Sequence, residues 1–262
     1  MAYINTKKDR ENLYMKLNEL DTISKMKYLL TKKGFRIRYD GKWTRNVVEA
    51  VSAYETPWLH QYQAPHFECD KWHNLFFTTY GWTPTYCQNC WKVVVFIPTV
   101  QKLFDLYELQ HDLEHQGKCG LEYRKTDERR YGGYFYNWGK ENGLKCYDKV
   151  RKAVDNELGK DIKVILKCSC SEYEVQNGPP AEWVPSEKQL DIEEEFKRWV
   201  VMSDIKHRQT RYMVAYVMLK WLHHAAHIGD LTYKVFTNGN PLVKSMKTYH
   251  DEEGVRNGKV CE

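Results

Sequence analysis

Two pairs of metal-binding side chains stand out in the chain. His66-x2-Cys69 and Cys87-x2-Cys90 are separated by seventeen residues. Two ligands two apart on a tight turn can reach one tetrahedral ion, and a second pair closes the coordination sphere. His73 can substitute for His66, giving Cys-x3-His with the same Cys-x2-Cys. A closed nitrogen and sulfur set leaves no position for water or substrate, so the expected metal is one structural Zn2+ per chain. Cys119, Cys168 and Cys170 fall on expected strands. They read as buried thiols before they read as ligands of a second metal.

The same segment also carries a catalytic pattern. His66-Phe67-Glu68 is an H-x-E, followed by Pro84 and Cys87-x2-Cys90. This is similar to the zinc nucleobase deaminase signature, in which the Glu shuttles protons beside an open zinc site. The chain departs from that pattern in three ways: Pro84 comes two residues early, the interval from Glu68 to Cys87 is short, and Cys69 can fill the fourth position. A deaminase-like enzyme with Glu68 as its acid/base is therefore the alternative reading. Glu122 and Arg124, alternating with Leu121 and Tyr123, form a second candidate acid/base centre. Exposed cross-strand ion pairs are the plainer account of them. His111/His115 and His223/His227 are spaced i, i+4 and would share helix faces. The second pair resembles H-E-x-x-H, but His224 replaces the Glu, so the general base is missing. No G-x-x-x-x-G-K-[ST], G-x-G-x-x-G or G-x-S-x-G is present, which argues against ATP-driven, Rossmann redox and serine-hydrolase chemistry.

RRYGGYFY at 129–136 resembles the RNP1 strand of RNA-recognition motifs, with Arg129, Tyr131, Gly132 and Tyr136 at matching positions. The resemblance implies that aromatics on an open sheet face stack bases, here Tyr134 and Tyr136, with Arg129 beside them. The competing account puts these rings under flanking segments of a larger domain. Basic residues support a polyanion contact. Residues 1–50 hold twelve Lys/Arg against six Asp/Glu, a net of +6, while the whole chain is +5, so the remainder sums to −1. Arg36, Arg38, Lys42 and Arg45 surround an expected hairpin there.

The elements that must position these groups follow from periodicity. A helix is expected at 10–33, where Leu13, Leu17, Leu20 and Ile23 recur at three- and four-residue steps. A hairpin with an Asp40-Gly41 turn and a helix near 45–55 follow. Residues 57–91 are aromatic, rich in His and Cys, and expected to be irregular and braced by the metal. Residues 92–175 read as strand 92–98, helix 99–116, strands 119–124 and 131–137, helix 144–159 and strand 162–174. This β-α-β-β-α-β order is ferredoxin-like, with one sheet face left free. Helices are expected at 186–203 and 210–227 and a strand at 231–236.

The expected class is α+β. A basic helix–hairpin–helix covers 1–56, a zinc-braced segment 57–91, the ferredoxin-like core 92–176 and a helical extension with a polar tail 177–262. The 262 residues suffice for a core without disulfides. Eight cysteines, no apolar run of 18 residues and no apolar leader at the N-terminus suggest an intracellular, cytoplasmic chain with thiols and no membrane span. The expected function is a zinc-stabilised nucleic-acid-binding or accessory protein. Its Lys-, Tyr- and Asn-dense composition suits a viral protein in a host cytoplasm. The alternatives are a metal-dependent enzyme on nucleotides or nucleic acid, and an interaction protein with a protein partner and a structural zinc.

Overall fold

The computed structural model describes residues 36–37, 43–44, 56–61, 68–124, 129–200 and 209–242. The expected helices at 10–33 and 45–55 and the Asp40-Gly41 turn lie outside these residues. So do Arg38, Lys42, Arg45 and His66. In the basic segment, β1 (Arg36–Ile37) and β2 (Trp43–Thr44) pair antiparallel, with Arg36 opposite Thr44.

The rest is a mixed α+β fold around one five-stranded antiparallel sheet. Its strands are β3 (Trp58–Gln61), β4 (Cys90–Ile97), β5 (Gly117–Leu121), β6 (Tyr131–Trp138) and β7 (Val164–Cys168). They lie in the order β3-β5-β6-β4-β7, and every neighbouring pair is antiparallel. Helix α3 (Val100–Asp112) links β4 to β5, and α4 (Lys140–Glu157) links β6 to β7. Thr99 caps α3 by accepting the Lys102 amide at 3.3 Å, which supplies an acceptor to a donor the helix cannot satisfy itself.

Strand side chains alternate between two faces. Val93, Val95, Ile97, Cys119, Leu121, Tyr131 and Phe135 point to one face. They pack on Leu103, Leu106 and Leu109 of α3, on Val150 and Val154 of α4, and on Val217 and Trp221 of α7 (Arg211–His227). The opposite face carries Trp58, Lys92, Lys118, Tyr134 and Tyr136. It is not free, as the sequence suggested. A second apolar cluster of Trp72, Phe76, Phe77, Tyr173, Trp183, Ile192 and Phe196 lies beside it as a roof.

That roof departs most from expectation. Residues 69–80 are helical, here α1, with a central π-helical stretch Trp72–Phe77 between Cys69–Lys71 and Thr78–Tyr80. Trp72, Phe76 and Tyr80 recur every fourth residue and line one side, Trp72–Phe76 and Phe76–Tyr80 rings lying 5.6 and 4.9 Å apart. A short α2 (Thr85–Gln88) follows. The expected strand 162–174 stops at Cys168. Ser169 takes a φ of 56°, a left-handed conformation that turns the chain out of the sheet. Residues Ser171–Asn177 then form helix α5, so Glu172 and Glu174 sit on a helix. Helix α6 (Glu187–Trp199) completes the roof. Buried Glu193 on it accepts the Thr85 amide at 3.0 Å and so satisfies the start of α2. The expected strand at 231–236 is a 3-10 helix, Leu231–Thr237, capped by Asp230 through the Thr232 amide. Among the described residues no helix is long and apolar enough to cross a membrane.

One glycine fixes the sheet edge. A Cβ on Gly120 would lie 2.2 Å from the Pro57 carbonyl oxygen, which Trp221 Nε1 holds at 2.8 Å. The carbonyl cannot retreat without breaking that bond. Gly120→Ala is therefore expected to cost about 1–3 kcal/mol as an overpacked site. Gly132→Ala, whose Cβ would meet nothing closer than 3.7 Å, is the control. Equal urea midpoints for the two variants would refute the close approach.

Candidate functional site

A cavity of about 420 Å³ opens where the roof meets the second sheet face. Its floor is Lys92 of β4, Lys118 of β5, Tyr134 and Tyr136 of β6, and Trp58 of β3. Its roof includes Cys69 and His73 of α1 and Cys87 of α2. Ser169, Cys170, Glu172 and Tyr173, around the start of α5, form a side. The β4–β6 register places Lys92 opposite Tyr136, and the β5–β6 register places Lys118 opposite Tyr134. The two lysines thus flank a pair of tyrosines whose rings lie 6.5 Å apart.

Lysine is rarely buried without a carboxylate partner. Lys92 is 8% exposed. Its ammonium donates to Cys170 Sγ at 3.0 Å and lies 5.7 Å from the Tyr136 ring centre. Lys118 lies 4.4 Å from the Trp58 ring centre and 5.6 Å from that of Tyr134. Among the described residues neither lysine has a carboxylate at ion-pair distance. Burial, and then the charge of Lys92, pull the Lys118 pKa down to about 8.

That shift has a stability consequence. An unfolded lysine titrates near ~10.4. Between about pH 8 and that value the unfolded chain holds more protons than the folded one, so this group favours folding more as pH rises through the window. The urea midpoint of wild type should therefore rise relative to that of Lys118→Met from pH 8 to pH 10, as the penalty for the buried charge fades. A difference that stays flat would show that Lys118 titrates normally.

The expected acid/base pair meets here as a structural brace. Glu122 accepts Arg124 Nε at 2.8 Å, Arg124 Nη2 at 2.6 Å and the Tyr134 hydroxyl at 2.8 Å. Burial pushes its carboxyl up, but these hydrogen bonds outweigh burial and hold it below the usual carboxylate range. Arg124 Nη1 reaches across to Glu172 at 3.4 Å, tying the end of β5 to α5. Tyr134 is 6% exposed and its hydroxyl also receives Arg129 Nη2 at 3.2 Å. It is a covered part of the cavity floor, not an open stacking platform. Arg129 lies over Phe96, 4.6 Å from its ring centre. The half-buried Trp58 and Tyr136 offer the remaining ring surface on the floor.

The metal residues are only partly brought together. Cys69, Cys87, Cys90 and His73 line the cavity. Among the described residues no group of three or more His, Cys, Asp or Glu side chains is placed to hold a metal ion. Cys87 accepts the Tyr173 hydroxyl at 3.2 Å, and that oxygen is 3.2 Å from His73 Nδ1. Burial pushes the Cys87 thiol up, and pushes Cys90 up to about 12, so without a metal both are protonated at neutral pH. Glu68 is engaged by Trp72 Nε1 at 3.1 Å and Lys71 at 3.4 Å. Arg36 is on β1, which pairs with β2.

Sequence reasoning missed Lys92, Lys118 and Ser169 as site residues and read Cys170 as a buried thiol. A signal for the lysines existed: each is a lone charge inside an otherwise apolar or small-residue strand, CWKVVVFI and GKCGL. No protein-family model, curated protein or solved structure matches the chain.

Proposed function

We propose that the chain is an intracellular nucleic-acid-binding protein whose cavity takes one nucleotide of a single strand. The observation that carries this reading is the pair of lysines without carboxylate partners among the described residues, Lys92 and Lys118, sharing a cavity with Trp58 and Tyr136. Cations answer phosphate, and ring faces answer a base. Ligand cavities commonly measure about 300–1,000 Å³, and about 420 Å³ falls at the small end, suited to one nucleotide and not a duplex. The N-terminal +6 segment with Arg36, Arg38, Lys42 and Arg45 would add salt-dependent backbone contacts outside the cavity.

The order β4-α3-β5-β6-α4-β7, with β6 and β4 central in the sheet, supports the ferredoxin-like class. The seven described cysteines are free thiols, which supports a reducing compartment. A structural zinc at His66, Cys69, Cys87 and Cys90 stays part of the proposal. Elemental analysis finding one zinc per chain, lost in Cys87→Ser, would support it, and a folded zinc-free protein would remove it.

The test of function is fluorescence anisotropy with a labelled single-stranded twelve-mer and its duplex in low salt. Single strand should bind more tightly. Lys92→Met and Lys118→Met should each weaken it about 10- to 100-fold, the scale of one lost charge-assisted hydrogen bond. Wild type that binds neither strand nor duplex would overturn the proposal.

A further inference from the structure

The cavity is lined by one more polar group that no described residue satisfies. Ser169 is fully buried, and its hydroxyl has no hydrogen-bond partner among the described residues. Buried hydroxyls are nearly always paired, so an orphan on a residue that lines a cavity marks a place for a ligand atom. Its backbone is held in the left-handed region, φ 56°, with its amide donating to the Cys90 carbonyl at 2.7 Å. A left-handed serine costs conformational energy, which the surrounding structure must maintain. Ser169, Lys92 and Lys118 therefore line one cavity as a hydroxyl and two ammoniums.

Charge decides what these three groups fit. An internal phosphodiester carries one negative charge and two ester oxygens that must continue as chain. A phosphomonoester carries about −1.5 to −2 at neutral pH and three free acceptor oxygens. Two cations and a hydroxyl match the second. Geometry points the same way. Arg124 and Glu172, bridged at 3.4 Å between the end of β5 and α5, both line the cavity and take up part of its wall, leaving less room for a continuing strand.

We propose that the cavity recognises a phosphomonoester, on a free nucleotide or at the end of a strand, in preference to an internal phosphodiester. This deepens the nucleotide reading above and rests on it. The test compares single-stranded twelve-mers with a 5′-phosphate, a 3′-phosphate or hydroxyl ends, a circular strand of the same composition, a mononucleotide and inorganic phosphate. Affinities are read by competition against a labelled 5′-phosphorylated strand.

At least a tenfold preference for either phosphorylated strand over the hydroxyl-ended and circular strands is expected. If only the mononucleotide shows the preference over its nucleoside, the monoester is recognised on a free nucleotide. Ser169→Ala should reduce the preference several-fold, and Lys92→Met with Lys118→Met should erase it. Their residual binding to hydroxyl-ended strand, together with an unchanged circular dichroism spectrum, shows that the variants are folded. Equal affinity for all strands, with the mononucleotide no better than its nucleoside, overturns this inference while leaving single-strand binding intact. No binding of any strand or mononucleotide overturns the underlying reading instead.

Discussion

Trp72→Ala is expected to cost about 3–5 kcal/mol, the range for deleting a fully buried tryptophan. Trp72 is 1% exposed and is the hub of the roof. Its ring stacks on Tyr86 at 5.5 Å, lies 5.6 Å from Phe76 and 5.5 Å from Phe196, and its indole N–H donates to Glu68. These contacts join α1, α2 and α6. The cluster around Trp72 is distinct from the one packed on α3 and α4. The loss should therefore appear first as local opening of the roof, with the other face of the sheet still protected. Hydrogen exchange checks this. Amides of α1 and α6 should exchange faster by orders of magnitude, while those of β6 and α4 change little. Uniform acceleration across the chain would mean that the two cores unfold as one.

Glu122→Ala should cost about 2–3 kcal/mol. Removing one partner of a buried ion pair commonly costs about 3–5 kcal/mol. Arg124 is 31% exposed and can turn to water, which brings the expectation to the lower figure. The carboxylate itself is 2% exposed, so its loss also strips a partner from the Tyr134 hydroxyl. Arg124→Met combined with Glu122→Ala should cost less than the sum of the single changes, by about 0.5–3 kcal/mol. The carboxyl titrates below its unfolded range. Its contribution is complete above ~4.3, the unfolded value, and is lost as pH falls through the lower folded value. Strict additivity in thermal or urea unfolding would show that the two side chains act independently.

The elements that sequence reading placed best are those where one signal dominates. Leu103, Leu106 and Leu109 repeat at three-residue steps on α3, and Thr99 announces its start. Val93, Val95 and Ile97 sit in a short apolar run between Trp91 and Pro98, and the run is a strand. Where two signals compete, the reading slipped. In 57–91 the His and Cys spacing drew attention from Trp72, Phe76 and Tyr80, whose four-residue step is helical. In 162–174 the alternation of Cys168 and Cys170 continues a strand pattern that the backbone of Ser169 ends. No side-chain pattern reports a positive φ at a serine.

The site was legible in its carboxylates, tyrosines, cysteines and Arg124, but not in its lysines. Glu122, Arg124, Tyr134, Tyr136, Cys69, Cys87 and Cys90 all line the cavity. Lys92 and Lys118 were passed over because a charged residue on a strand normally faces water. Only the packing of the roof over that face turns them inward, and that packing depends on segments far apart in the chain.

That distance has a kinetic side. His73 meets Tyr173 across 100 positions and Thr85 meets Glu193 across 108, with nearly all of the sheet lying between them. Closing such long loops is entropically costly until the intervening strands have paired. The roof should then settle on an already formed sheet, after the main barrier to refolding. A ligand in the cavity would bind a structure absent from that barrier. In stopped-flow experiments it should slow unfolding in proportion to its affinity and leave the refolding rate nearly unchanged.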